Sequence, residues 1–336
     1  MRIRPTWLLL LPLLTSCEKV LFTPEPAADP ASVFQAVWQD YKDHYGPTTF
    51  RHINWDSLHA AYSPMVSTNS TEEELYLALT EMLAHTNDGH VQITTPGREH
   101  WYANTYFRNR TGDNLFDLGI VRDRYLDAGN RFEVEDAVLR GHIGDVGYIH
   151  FSHVAGNLTE LDALLDNGFS GKLIIDLRHN EGGDFTFALN AFDRLTDVSL
   201  PVFSSRTKNG TGPDDFTPWY HWQLDPDPRK TFVDAQLIVL VDRFTISAGE
   251  RATLMLAALP GVQLMGDTTN GALSTMVGRE MANGWAYTIA TQEILLPSGI
   301  TWEGVGIPPH KVVINDPAAL AAGHDAVLDS ALALLR

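Results

Sequence analysis

The chain has 336 residues, enough for one large domain or two modest ones. Its 24 lysines and arginines face 42 aspartates and glutamates, a net charge of −18, which argues against nucleic-acid binding, since that requires concentrated positive charge. Hydrophobic residues at 44% and charged residues at 20% are ordinary for a globular protein.

Met1–Arg4 carries two arginines, Trp7–Leu14 is an apolar run broken by one proline, and Leu14-Thr15-Ser16-Cys17 follows. A basic start, a short apolar core and small residues make a secretory signal too short to span a membrane stably. Cys17 is the single cysteine, so it has no intramolecular disulfide partner. The pattern resembles the bacterial lipoprotein lipobox. That resemblance implies cleavage before Cys17, acylation there, and a protein lipid-anchored to a membrane of the bacterial cell envelope, on the periplasmic or surface side. The alternative is a chance cysteine in an ordinary signal. Glu18–Ala31, with three prolines, reads as a tether.

Residues 32–97 read as a small helical domain. Val33, Phe34, Val37, Trp38 and Tyr41 recur at helical spacing, Ser57–Tyr62 is a short second helix, and Thr71 with Glu74 forms a capping box for a third. That helix runs out at Asn87-Asp88-Gly89-His90, and Val91–Thr95 alternates like a strand. A histidine on such a turn is a candidate general base, and equally a structural or solvated residue. His85 lies five residues away, poor metal spacing, and there is no His-Glu-x-x-His; no metal or cofactor is expected.

Residues 98–143 are a connecting segment, with Phe116–Val121 and Arg131–Leu139 as candidate strands. From Gly144 to the end the pattern is α/β: strands at Val146–Phe151, Leu173–Leu177, Gln236–Val241, Val262–Met265 and Lys311–Ile314, one or two more in Trp285–Leu296, and helices between them. Arg206–Arg229 reads as a loop whose Trp219, Tyr220 and Trp222 either line a cleft or pack on the core.

Three stretches in this half carry chemistry. Leu173–Gly183 runs a buried strand into paired glycines, Gly182 and Gly183, whose amides can form an oxyanion hole; a plain tight turn fits as well, and without Gly-Lys-Ser/Thr or GxGxxG a phosphate cradle is poorly supported. Gln236–Val241 hands over through Asp242–Ser247 to a helix-favouring Ala248–Leu259, which puts Ser247 at a strand–helix junction beside free amides. A nucleophile needs such a junction, but a helix cap needs no more than this. In Trp302–Pro309, Glu303 sits between glycine turns, where it either orients a catalytic group or caps a loop.

Taken together, Leu83–His90, Gly147–Ile149, Ile174–Gly183, Thr245–Glu250, Gly266–Gly271, Asn283–Trp285 and Glu303–Pro309 resemble, in order and spacing, the C-terminal-processing (tail-specific) serine peptidases, in the branch related to the tricorn core. The likeness runs from about Phe34 to the C-terminus. It implies a ClpP/crotonase-like α/β peptidase core of parallel-rich sheet and helices over 144–336, preceded by the small helical bundle. It implies Ser247 as nucleophile, His90 as base and Glu303 as the acidic member, with oxyanion donors from the amides of Ala248 and of Gly182 or Gly183. Relatives with a lysine base place it shortly after a Thr-x-Gly turn; here Thr269-Asn270-Gly271 leads to Ala272. The residue before the histidine is a serine in tricorn and Gly89 here, so one orienting hydroxyl is missing and Asp88 or Glu303 is left to fix the imidazole. Glu250 belongs to the pattern and reads as structural, and the connecting segment is too short for a PDZ domain. The expectation is a membrane-anchored serine peptidase acting on a peptide or protein. The alternatives are an inactive ligand- or peptide-binding lipoprotein on the same scaffold, or a serine hydrolase of non-peptide esters or amides.

Overall fold

The computed structural model describes residues 27–166, 170–228 and 235–336. The signal, the lipobox at Cys17 and most of the tether lie outside the described residues. The first helix, Pro30–His44, starts where Asp29 accepts the Ser32 amide and Pro30 supplies a preset first turn. It buries Val33, Phe34, Val37, Trp38 and Tyr41, the face that the spacing predicts. Asn54 caps Trp55–Tyr62, and Thr71 and Glu74 form the expected reciprocal box on Glu72–Ala84. These helices do not close a core alone. Their apolar faces pack with Met281, Trp285, Tyr287 and Ile289, from nearly two hundred residues downstream. The meeting surface is a four-stranded antiparallel sheet ordered β11 (Met276–Glu280), β12 (Ala286–Ala290), β1 (Gln92–Thr94), β2 (Trp101–Tyr102).

The central sheet has seven strands, ordered β14 (Lys311–Val312), β10 (Gln263–Gly266), β9 (Gln236–Val241), β6 (Lys172–Asp176), β5 (Val146–Phe151), β4 (Val138–Ile143) and β3 (Phe132–Val134). β5, β6, β9, β10 and β14 are mutually parallel; β4 and β3 close one side antiparallel. In register, Tyr148, Ile174 and Ile238 lie side by side, as do Ile149, Ile175 and Val239. The first row faces a core closed by the helix Ala326–Leu334; the second faces one closed by the helices Glu160–Asp166, Thr186–Phe192 and Ala248–Ala257. Burial on both faces explains why these strands read as continuous apolar runs rather than alternating ones. Arg178, just past β6, pairs with Asp176 at 2.6 Å and with Asp325 at 2.8 Å, pinning the exit of that strand to the cap of the last helix.

Several expectations are corrected. Phe116–Val121 is not a strand: Asp117 accepts the amides of Gly119 and Ile120 and opens a short helix, because a capping carboxylate wins over the apolar residues around it. Residues 131–139 are not one strand but β3, the hairpin turn 135–137 with Asp136 at positive φ, and the start of β4. Arg206–Arg229 is not wholly loop. β7 (Leu200–Thr207) and β8 (Tyr220–Leu224) pair antiparallel and form a third sheet with β13 (Gln292–Leu295). The Trp222 ring packs edge-on against Phe185, 4.7 Å between centroids, and belongs to the core rim. Trp285–Leu296 yields two strands that separate at Thr291 into different sheets. No helix among the described residues is long and apolar enough to cross a membrane.

Candidate active site

The carboxyl ends of β6 and β9 are adjacent, and each continues into a tight turn. In the turn after β9, Asp242 Oδ1 accepts the amides of Phe244 and Thr245 at 3.0 and 3.1 Å, and that of His179 from the neighbouring turn at 3.0 Å. The Thr245 hydroxyl donates to Leu177 O at 2.7 Å. The turn ends at Ser247 with φ 60° and ψ −120°. A non-glycine residue there is strained, and it persists because hydrogen bonds on both sides hold it. Ser247 N donates to Ala272 O at 3.1 Å, leaving the side chain half-buried at the start of the helix Ala248–Ala257.

The turn after β6 is built on Asn180, which is fully buried. Its Nδ2 donates to Phe151 O at 2.7 Å, its Oδ1 accepts the Gly182 amide at 3.0 Å, and its carbonyl accepts the Ile246 amide at 3.0 Å. One residue thus couples β5 and the glycine turn through its side chain and the serine turn through its carbonyl. Both glycines are required. Gly182 (φ 88°) would bring a Cβ to 2.7 Å from Ser247 Cβ, and Gly183 (φ 130°) would drive one to 2.2 Å from Val154 O. The Gly182 amide is committed to Asn180. Among the described residues, the amides of Gly183 and Ala248 donate to no protein acceptor, and both residues line the same cleft as Ser247.

His90 lines that cleft too, which measures about 480 Å³. Its turn is held by its own amide donating to Asp88 Oδ1 at 2.8 Å and by Thr288 Oγ1 donating to its carbonyl at 2.7 Å. Its ring is buried, and neither ring nitrogen makes a hydrogen bond among the described residues. Burial pushes its pKa down to about 4, with the Asp88 carboxylate opposing; Asp88 Oδ1 stands 3.8 Å from Nδ1. The imidazole is therefore neutral near pH 7, with free acceptor capacity.

Glu303 is buried but does not hydrogen-bond the imidazole. Its Oε1 accepts Arg51 Nε at 2.9 Å, and its Oε2 accepts the amides of Leu273 and Ser274 at 2.9 and 3.2 Å. Glu250 accepts the Thr269 hydroxyl at 2.6 Å and the amides of Gly271 and Ala272 at 2.7 and 2.8 Å. Two glutamates thus strap consecutive amides of the loop 271–274. Burial pushes the Glu250 carboxyl up to about 7 and raises that of Glu303, which Arg51 holds back. Arg51 itself also donates to Thr86 O and Asn87 O at 3.1 Å and to Gly271 O, and lies 3.5 Å from Asp88 Oδ2. It joins the histidine turn, the glutamate and the strapped loop. Sequence reasoning missed Arg51, Asn180 and a further cleft residue, Arg251. A lone arginine or asparagine in a loop or helix carries no local signal, and Arg51 and Glu303 are 252 positions apart.

Residues 145–313 match the model of peptidase family S41, and residues 26–84 match the tricorn protease C1 domain. A curated relative, the carboxy-terminal processing protease CtpA of Bacillus subtilis (strain 168), is 27% identical over 215 residues, covering 63% of this chain and 43% of that protein. The chain therefore spans under half the length of that relative. Among solved structures, one from Parabacteroides merdae ATCC 43184 aligns with TM-score 0.79 at 24% identity, over 92% of this chain and 97% of that one. Mature CPAF complexed with lactacystin aligns at 0.68 and 10% identity, over 91% and 97%. The tricorn protease aligns at 0.54 and 15% identity, over 91% and 36%. At these identities the structural likenesses establish the α/β fold.

Proposed function

Because this chain belongs to peptidase family S41, we propose that it is a serine peptidase in which Ser247 attacks the scissile carbonyl and His90 is the base. The observation that supports this most is the meeting, in one cleft, of a strained serine, a neutral histidine with unspent nitrogens, and the free amides of Gly183 and Ala248. His90 takes the hydroxyl proton as Ser247 Oγ bonds to the carbonyl carbon, and the two amides hold the oxyanion. The imidazolium then gives its proton to the leaving amine as the C–N bond breaks. Water, deprotonated by His90, releases the acyl group from Ser247. The neutral imidazole approaches the hydroxyl when substrate fills the cleft, since such bonds tighten on complex formation. Asp88 is the carboxylate beside the imidazolium as it forms. Glu303 acts at one remove, through Arg51 and the loop 273–274.

Ser247→Ala abolishes hydrolysis of a fluorogenic peptide and labelling by a serine-directed fluorophosphonate, with the circular dichroism spectrum unchanged. Retained hydrolysis sinks the mechanism. A protein that takes the label but cleaves only ester probes is a hydrolase of another class.

The N-terminal pattern supports anchoring of the mature protein to an envelope membrane through lipid on Cys17. Labelled palmitate enters the native chain and not Cys17→Ser; equal incorporation rules the anchor out.

A further inference from the structure

Arg251 lies on the helix that starts at Ala248, four residues after Ser247 and so on the same face, and it lines the cleft. It is 2% exposed, yet no carboxylate stands within 4 Å of it among the described residues. All its acceptors are neutral: Nε donates to Leu273 O at 2.8 Å, and Nη2 to Gln292 Oε1 at 2.8 Å and to Thr275 Oγ1 at 3.2 Å. Nη1 has no acceptor among the described residues. The guanidinium is therefore fixed in orientation with one nitrogen unspent, under the Phe185 ring at 4.5 Å. Phe185 lines the cleft as well. Glu303 and Glu250 exert a Coulombic pull, but both spend their oxygens elsewhere. Burial lowers the arginine's pKa only to about 10, so it stays charged. A buried cation without a counterion is costly, and a fold tolerates it most readily where a ligand supplies the missing charge.

We propose that Arg251 is the anion receptor of this cleft and that the substrate presents a carboxylate to it, from an acidic side chain or from its own C-terminus. The carboxylate displaces the Phe185 ring from the guanidinium, accepts from Nη1 and neutralises the buried charge. This rests on the peptidase reading for the word substrate, but carboxylate binding needs no turnover and is tested apart from it.

The full chain carrying Ser247→Ala is titrated, by fluorescence polarisation, with four labelled alanine-rich decapeptides: a central glutamate or its glutamine counterpart, each with a free or an amidated C-terminus. Carboxylate-bearing peptides bind at least about tenfold more tightly than the neutral one, the range of a charge-assisted hydrogen bond. Whichever pair shows the gap identifies the source. Arg251→Gln closes the gap, and Arg251→Lys keeps part of it. Equal affinity for charged and neutral peptides overturns the proposal without any variant at 251, so a poorly folding Arg251→Gln does not protect it. A full gap in a folded Arg251→Gln overturns it too. Peptide hydrolysis by the native chain with no charge preference removes this proposal and spares the peptidase reading. A charge preference in a protein that neither hydrolyses peptides nor takes the fluorophosphonate does the reverse.

Discussion

Ile246 Cδ1 fills the space in which a side chain on Gly89 would begin, 2.4 Å from the ideal Cβ position, and Asn270 Oδ1 flanks it at 2.9 Å. A serine at this position, as before the histidine in tricorn, has to push aside the ends of both side chains, because the serine turn packs directly against the histidine turn. Gly89→Ser does not restore an orienting hydroxyl; it overpacks the contact, destabilising by about 1–3 kcal/mol and lowering kcat. Adding Ile246→Ala to it recovers part of the lost stability, a non-additive pair measurable by urea unfolding. Additive losses show that the two turns are not in the contact described.

Arg51 is the only bridge in the described structure that touches Glu303, the carbonyls of Thr86 and Asn87, and Gly271 together. Arg51→Met leaves Glu303 and Asp88 buried without their cation. Loss of one partner of a buried pair costs about 3–5 kcal/mol. Denaturant midpoints are expected to fall accordingly, and Arg51→Met with Glu303→Gln to fall less than Arg51→Met alone. An Arg51→Met protein as stable as the native chain contradicts this.

With His90 as the proposed base, the acid limb of kcat/KM is expected to report its titration. Its folded pKa, about 4, lies below the unfolded value of 6.5 because burial disfavours the imidazolium. Activity holds as pH falls from 7 towards 5 and declines with a midpoint near 4; a midpoint near 6.5 places the base in water instead. The sign for stability follows from the same shift. The contribution of a buried neutral His90 is present above pH 6.5 and is lost as pH falls through the folded value, by about 3 kcal/mol. The unfolding free energy of the native chain minus that of His90→Gln therefore shrinks by that amount between pH 7 and pH 4. This difference cancels the opposite trend from Glu250, whose pKa is raised. Asp88→Asn removes the carboxylate that raises the imidazole pKa and moves the acid limb lower still; a shift upward contradicts the assignment of Asp88 as its electrostatic partner.

Gly182→Ala places a methyl 2.7 Å from Ser247 Cβ at a backbone φ of 88°, so the serine turn and the glycine turn are pushed apart. The amide of the next residue, Gly183, shifts with them. If that amide is the proposed oxyanion donor, its displacement lowers kcat on the order of 10²-fold. Fluorophosphonate labelling slows in parallel, while neutral-peptide affinity in the Ser247→Ala background changes little. Unchanged labelling separates the glycine turn from the chemistry.

Local signals carried the elements well. The Thr71–Glu74 capping box, the Val33–Tyr41 periodicity and the doubly buried runs at Leu173–Leu177 and Gln236–Val241 are written in neighbouring residues, and the structure has them within a residue or two. The same locality marked Ser247 and the paired glycines, because strand–helix junctions need particular residue types. Strands held by pairing rather than by burial were illegible: the mostly exposed β8 is a strand because β7 pairs with it, and the mostly exposed β11 because β12 does. Tertiary structure alone decided which groups meet. It brought Arg51 to Glu303 and left Arg251, among the described residues, charged and without a carboxylate partner in the lining of the cleft. It also spent the Gly182 amide on Asn180 and kept that of Gly183 free. A sequence records which side chains are able to donate, accept or carry charge. The desolvation that sets their pKa values, and the partners that satisfy or abandon them, come from chain segments hundreds of residues apart packing into one interior.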